Sequence, residues 1–125
     1  MRGVTASHKL LHHGVNCSLS TNNVLNPFTP FGDCSLVRMA NLYANVVQAG
    51  TLGDLAACFD LVTAQPARLM NLSDYGIAVG NPADLVVLDN ADPAMAIAEV
   101  SQVLTGFKRG RRSFMRAAAV LNRPE

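Results

Sequence analysis

Residues 15–20, Val15-Asn16-Cys17-Ser18-Leu19-Ser20, alternate apolar and polar side chains with the period of two that a half-buried β-strand requires. Nothing beside them in sequence offers a second strand; the next extended pattern comes near Leu85, beyond three helical segments. A strand satisfies its backbone only by pairing, so this one is an edge without a sheet. That single feature constrains the fold most. The expectation is a segment of a larger α/β fold whose neighbouring strands lie outside these residues.

The rest of the chain is compatible with a packed segment. Its 125 residues are 50% hydrophobic and 15% charged, which excludes global disorder and is enough to build a core. The apolar runs are interrupted by Asn, Gly, Asp or Arg before they reach bilayer length, and the residues after Val4 are polar and His-bearing rather than signal-like. A soluble cytoplasmic protein with no membrane partner is expected. Cys17, Cys34 and Cys58 are an odd count without CxxC spacing, which reads as small, buried, reduced side chains and not as a disulfide frame or zinc knuckle.

Helix and turn signals divide the remainder. Thr5 is a candidate cap for a short helix with Leu10 and Leu11 on its apolar side and Gly14 as its stop. The stretch Thr21-Asn22-Asn23-Val24-Leu25-Asn26-Pro27-Phe28-Thr29-Pro30-Phe31-Gly32-Asp33 reads as a loop. A long helix follows, with Leu36, Met39, Ala40, Tyr43, Val46 and Val47 at helical spacing and Gly50 as its stop. Thr51 with Asp54 resembles a capping box for a second helix whose face is Leu55, Cys58, Phe59 and Val62; Thr63 opens a third. Leu85-Val86-Val87-Leu88 reads as a buried strand. A short helix near residues 94–99 and a hairpin, residues 103–108 with 112–115 across Arg109-Gly110-Arg111, complete the pattern; the tail at 117–121 is ambiguous between helix and strand.

Two segments carry a resemblance. Asp74-Tyr75-Gly76-Ile77-Ala78-Val79-Gly80-Asn81-Pro82-Ala83-Asp84-Leu85-Val86-Val87-Leu88-Asp89, preceded by Gln65-Pro66-Ala67-Arg68, resembles the closing signature of the amidohydrolase superfamily. Gly14-Val15-Asn16-Cys17 followed by Asn22-Asn23-Val24-Leu25-Asn26-Pro27-Phe28-Thr29-Pro30-Phe31-Gly32 is similar to the last barrel strand and loop of cytosine deaminases. The resemblance implies the C-terminal portion of a (β/α)8 (TIM) barrel with part of a small β-sandwich domain. Residues 1–73 would hold the last barrel strand and following helices, and 74–125 the sandwich segment with hairpin and tail.

It also implies a metal-dependent hydrolase that cleaves C–N bonds of a cyclic amidine or amide, a small-molecule substrate, and a divalent metal (zinc or iron) in the full-length parent. The metal would generate a hydroxide nucleophile near neutral pH. Asn22 falls at the place of the family's catalytic, metal-binding aspartate. Asn23 falls at a second acidic position beside the substrate ring, and Phe28 at the aromatic that stacks on it. Asparagine cannot serve as a general base and is a weak zinc or iron ligand. Asp33 is the alternative carboxylate, but it reads as a loop or helix-cap residue before Cys34-Ser35.

The remaining candidates are weaker. His8 and His12 are spaced i, i+4, but no third ligand accompanies them, and they read as a surface or partly buried pair; His13 reads as a helix C-terminal cation. Accordingly no metal site and no activity are expected of this chain alone. The alternative function is a non-catalytic binding or interaction module using the basic C-terminal hairpin, since Lys108, Arg109, Arg111, Arg112, Arg116 and Arg123 are six of the 10 lysines and arginines. Nucleic acid is the less favoured partner for that cluster, which reads as a solvated face. Exposed barrel and sandwich faces make self-association possible.

Overall fold

A computed structural model describes residues 3–117 and 119–123. Its elements run α1 (Ser7–Leu11), α2 (Leu36–Val47), α3 (Leu52–Asp60), α4 (Ala64–Leu69), β1 (Leu85–Leu88), α5 (Pro93–Ala98), β2 (Val103–Lys108) and β3 (Arg111–Met115). No helix among the described residues is long and apolar enough to cross a membrane.

The caps explain where the helices start. Ser35 Oγ accepts from Arg38 N–H at α2, Thr51 Oγ1 from Asp54 N–H at α3, and Asp92 Oδ1 from Met95 N–H at α5. Thr51 also donates its hydroxyl proton to Asp54 Oδ2 at 2.8 Å, a variant of the expected box that holds the Asp54 carboxyl below its ordinary range. Two sequence-based boundaries shift. Thr5 does not cap α1, whose N-cap is Ala6 without a side-chain bond. α2 stops before Gly50, because Gln48 adopts the left-handed conformation and Ala49 N–H closes onto Ala44 O at 2.9 Å.

α2, α3 and α5 share one core of Val37, Ala40, Tyr43, Ala44, Cys58, Leu61, Val62 and Ile97. The buried face of α2 is rotated from the expected one: Val37 and Ala44 are inside, while Leu36 and Val46 are exposed. Asn41 Nδ2 donates to Ile97 O at 2.9 Å and ties α2 to the end of α5. His8 corrects the expectation of a surface pair, because it is 1% exposed whereas His12 lies outside. His8 N–H donates to Tyr43 Oη at 3.0 Å, and the same oxygen lies 2.8 Å from Nδ1, so α1 is pinned to α2 through one phenol. Burial raises the Tyr43 hydroxyl above its ordinary pKa.

The sheet is antiparallel in the order β1-β2-β3. Arg109 and Gly110 both have positive φ (49° and 76°), the two-residue turn whose twist matches that of the strands it joins. Gly106 faces Phe114 across the ladder, and a Cβ there would run into the Phe114 ring, so the aromatic covers the glycine. Asp84 accepts from Lys108 Nζ and from Arg109 N–H at 2.6 Å, which fixes the hairpin against the entry to β1 and, through the lysine first, lowers the Asp84 carboxyl's pKa. β1 is not the buried strand its apolar run suggests: Val86 and Val87 are 62% and 46% exposed. Its ladder has one side only, among the described residues. Tail residues 117 and 119–121 are neither helix nor strand.

Residues 15–20 correct the expectation of a strand, because they join no ladder and form no regular element among the described residues. Cys17 and Leu19 pack against the core while Asn16, Ser18 and Ser20 are exposed, so the alternation holds from Asn16 on, but Val15 is exposed as well. The backbone is held by Leu19 N–H donating to Leu61 O at 2.8 Å.

Tyr43→Phe is expected to cost about 1–3 kcal/mol, because it leaves a buried His8 N–H and ring nitrogen without their partner. Urea denaturation followed by circular dichroism measures it; an unchanged midpoint would show that the phenol does not hold α1.

Candidate active-site loop

The segment 21–35 follows residues 15–20 and is organised by its own polar side chains. Thr21 Oγ1 donates to Asn23 O at 3.2 Å. Asn26 and Thr29 exchange both backbone hydrogen bonds at 3.1 Å, which closes a tight turn with Pro27 and Phe28 at its tip. Asn26 Oδ1 accepts from Phe28 N–H and Thr29 N–H, each at 3.0 Å, and its Nδ2 donates to Asn23 Oδ1 at 2.7 Å. Leu25 and Cys34 have left-handed backbone, φ 53° and 61°, a conformation costly for both residue types.

The candidate residues occupy three different environments. Asn22 is exposed, and its side chain has no partner among the described residues. Asn23 is half-buried and lines a cavity of about 80 Å³ with Thr21, Val24, Phe31 and Arg38 among its walls. Phe28 is 87% exposed at the turn tip. One turn therefore holds Asn23 and Phe28 through Asn26, while Asn22 stands outside this hydrogen-bonded group. Sequence reading passed over Asn26. Its signal was an asparagine directly before proline, a usual start for a side-chain-closed turn.

Asp33 does what its position before the helix implied. Its Oδ1 accepts from Ser35 N–H at 3.0 Å and lies 3.7 Å from Arg38 Nη1. The carboxylate is thus engaged in starting α2. Cys34 beside it is exposed, contrary to the expectation of three buried thiols; Cys17 is half-buried and only Cys58 fully buried. Burial first, and the Asp54 charge second, push the Cys58 thiol up to about 11.

A second cleft, of about 480 Å³, lies between the start of α2 and the sheet, with Phe59, Val62, Leu88, Val103 and Phe114 among its apolar walls. Ser101 Oγ is buried at its margin without a hydrogen-bond partner among the described residues.

A model of the amidohydrolase family matches residues 1–113. The chain belongs to that family. It is 34% identical over 104 residues to the N-isopropylammelide isopropyl amidohydrolase of Pseudomonas sp. strain ADP, covering 82% of this chain and 26% of that enzyme. It is 37% identical over 87 residues to the pterin deaminase of Rhizobium rhizogenes, covering 69% of this chain and 20% of that one. Among solved structures, 5-methylcytosine deaminase from Klebsiella pneumoniae with 5-fluorocytosine bound superposes with a TM-score of 0.88 at 29% identity, over 97% of this chain and 30% of the other. This amidohydrolase chain spans about a quarter of the length of the curated relatives it matches. Its likeness is to the C-terminal portion of cytosine-deaminase-like members.

Members of this superfamily are generally metal-dependent. The donor set of this segment does not fit a resident zinc or iron ion. No group of three or more His, Cys, Asp or Glu is gathered among the described residues, and at the two positions of interest the side chains are neutral amides.

Thiol titration at pH 8 checks the loop's placement. Cys34 is expected to react first and Cys58 only after unfolding, since attack requires an accessible thiolate. Equal rates at the three cysteines would contradict this arrangement.

Proposed function

We propose that this amidohydrolase segment forms the substrate-facing loop and closing strands of a hydrolase that cleaves a C–N bond in a cyclic amidine or amide of the cytosine, pterin or triazine kind. The observation that carries the reading is the Asn26-centred turn, which binds the half-buried Asn23 and leaves Phe28 exposed at its tip. The relatives that act on nitrogen-rich rings support the substrate class. Phe28 stacks on the ring, Asn23 hydrogen-bonds its edge, and Asn22 stands at the mouth as a neutral polar group.

In this reading residues 15–20 are the last strand of a (β/α)8 barrel, residues 1–73 complete the barrel segment, and 74–125 belong to a small β-sandwich. The lack of a ladder at 15–20 among the described residues and the exposed apolar side chains of β1 favour it, because barrel and sandwich strands both require neighbours. A divalent metal, if the whole enzyme uses one, takes its ligands from elsewhere, and the segment alone does not hydrolyse substrate. The alternative, a binding module built on the basic hairpin, has weaker support: Lys108 is engaged by Asp84 and Arg116 by Gln102.

Titration of the 15N-labelled chain with cytosine is expected to shift the Asn23 side-chain amide and the Phe28 backbone amide together. Phe28→Ala should weaken that binding about fivefold or more, a stacking contribution of about 1 kcal/mol. Shifts confined to the hairpin would overturn the ring-site reading. An ammonia-release assay of the chain alone should stay at background; release above it contradicts the inactive-segment reading.

Sedimentation separates the two functional readings. Exposed apolar faces predict self-association that ammonium sulfate strengthens, whereas a basic hairpin seeking anionic partners predicts binding to heparin that salt abolishes.

A further inference from the structure

Both polar atoms of the Asn26 side chain are committed. Its Oδ1 meets two backbone N–H groups at 3.0 Å. Backbone amides only donate, so the atom facing them is the oxygen and the NH2 group points the other way. That nitrogen lies 2.7 Å from the Asn23 side chain. An amide NH2 cannot accept, so the Asn23 atom it meets is also fixed as oxygen. The orientation of two side chains whose O and N ends are otherwise interchangeable is therefore set by the backbone of one turn. Asn23 Nδ2 is left facing away from Asn26, with no partner among the described residues, on a half-buried residue beside a cavity.

We infer that Asn26 is a positioning residue that makes Asn23 an obligate hydrogen-bond donor, so that the site takes a heteroaromatic ring presenting an acceptor (a bare ring nitrogen or a carbonyl oxygen) to Asn23. The inference rests on the ring site proposed above and adds the polarity of its recognition. An ionised carboxylate at the same position only accepts and would select the opposite pattern, a ring N–H. The neutral amide is thus a change of specificity as well as the loss of a charge. Because Asn26 also holds Phe28 N–H, the donor and the stacking aromatic keep one register.

The decisive variant is Asn26→Asp. One carboxylate oxygen still accepts from the two turn N–H groups, while the other now faces Asn23. Asn23 must then turn its Nδ2 inward to donate and its Oδ1 outward to accept. Pyrimidine, whose ring nitrogens only accept, and pyrrole, whose ring N–H only donates, are titrated against the 15N-labelled native chain and the variant. The native chain is expected to bind pyrimidine about fivefold or more tightly than pyrrole, the effect of one net hydrogen bond of about 1 kcal/mol. N26D is expected to reverse the order, which a merely structural role for Asn26 would not produce.

Binding of both rings without preference, or a native preference for pyrrole, overturns the donor assignment and leaves the ring site standing. Absence of binding by either ring overturns the ring site, and the assignment with it. Should N26D not fold, side-chain amide exchange in the native chain decides: Asn26 Nδ2 protons are expected to exchange more slowly than those of Asn23, and the reverse order refutes the inference.

Discussion

The burial of Leu61 and Ile97 between α2, α3 and α5 is the contact on which the other elements depend. Both side chains are fully enclosed, and each comes from a different part of the chain. Ile97 brings the end of α5 against α2, and α5 in turn stands between β1 and β2 in sequence, so the sheet is hung on the helices through it. Leu61 closes α3, and its carbonyl accepts from Leu19 N–H. A core this small has few spare contacts, and at roughly 1.5–3 kcal/mol for each fully buried aliphatic side chain, losing either residue would be felt throughout the segment.

The candidate loop lies outside that core and is ordered by a different force. Its turn is held by hydrogen bonds between short polar side chains and backbone, with Leu25 and Cys34 in costly conformations at its edges. Such an arrangement is compatible with a loop carried by a scaffold and shaped for recognition more than for stability. Asp33 and Arg38 join the two regimes, since the carboxylate that starts α2 also ends the loop.

The uncovered surfaces are consistent with a segment adapted to a larger assembly. Val86 and Val87 on β1, together with Ile77 and Val79 ahead of it, expose large apolar side chains. Scattered apolar exposure is ordinary on any protein, but here it flanks the free edge of β1, where Val86 and Val87 point to opposite faces. The likeness of this amidohydrolase segment to 30% of the 5-methylcytosine deaminase chain agrees with that view.

Local signals in the sequence determined the helix-starting cap at Thr51, a hairpin turning at Gly110 and the order of the helices, because capping and turn chemistry act between residues a few positions apart. The candidate residues Asn22, Asn23 and Phe28 were legible as positions in a pattern. What joins two of them was not: Asn26 shares its two ends between a backbone turn and a neighbouring amide, and that division exists only once the turn has closed. The burial of His8 beneath Tyr43 and the exposure of β1 were likewise decided by tertiary structure. Whether a polar residue is enclosed or an apolar run uncovered depends on which element arrives to pack against it, and periodicity along the chain carries no record of that partner.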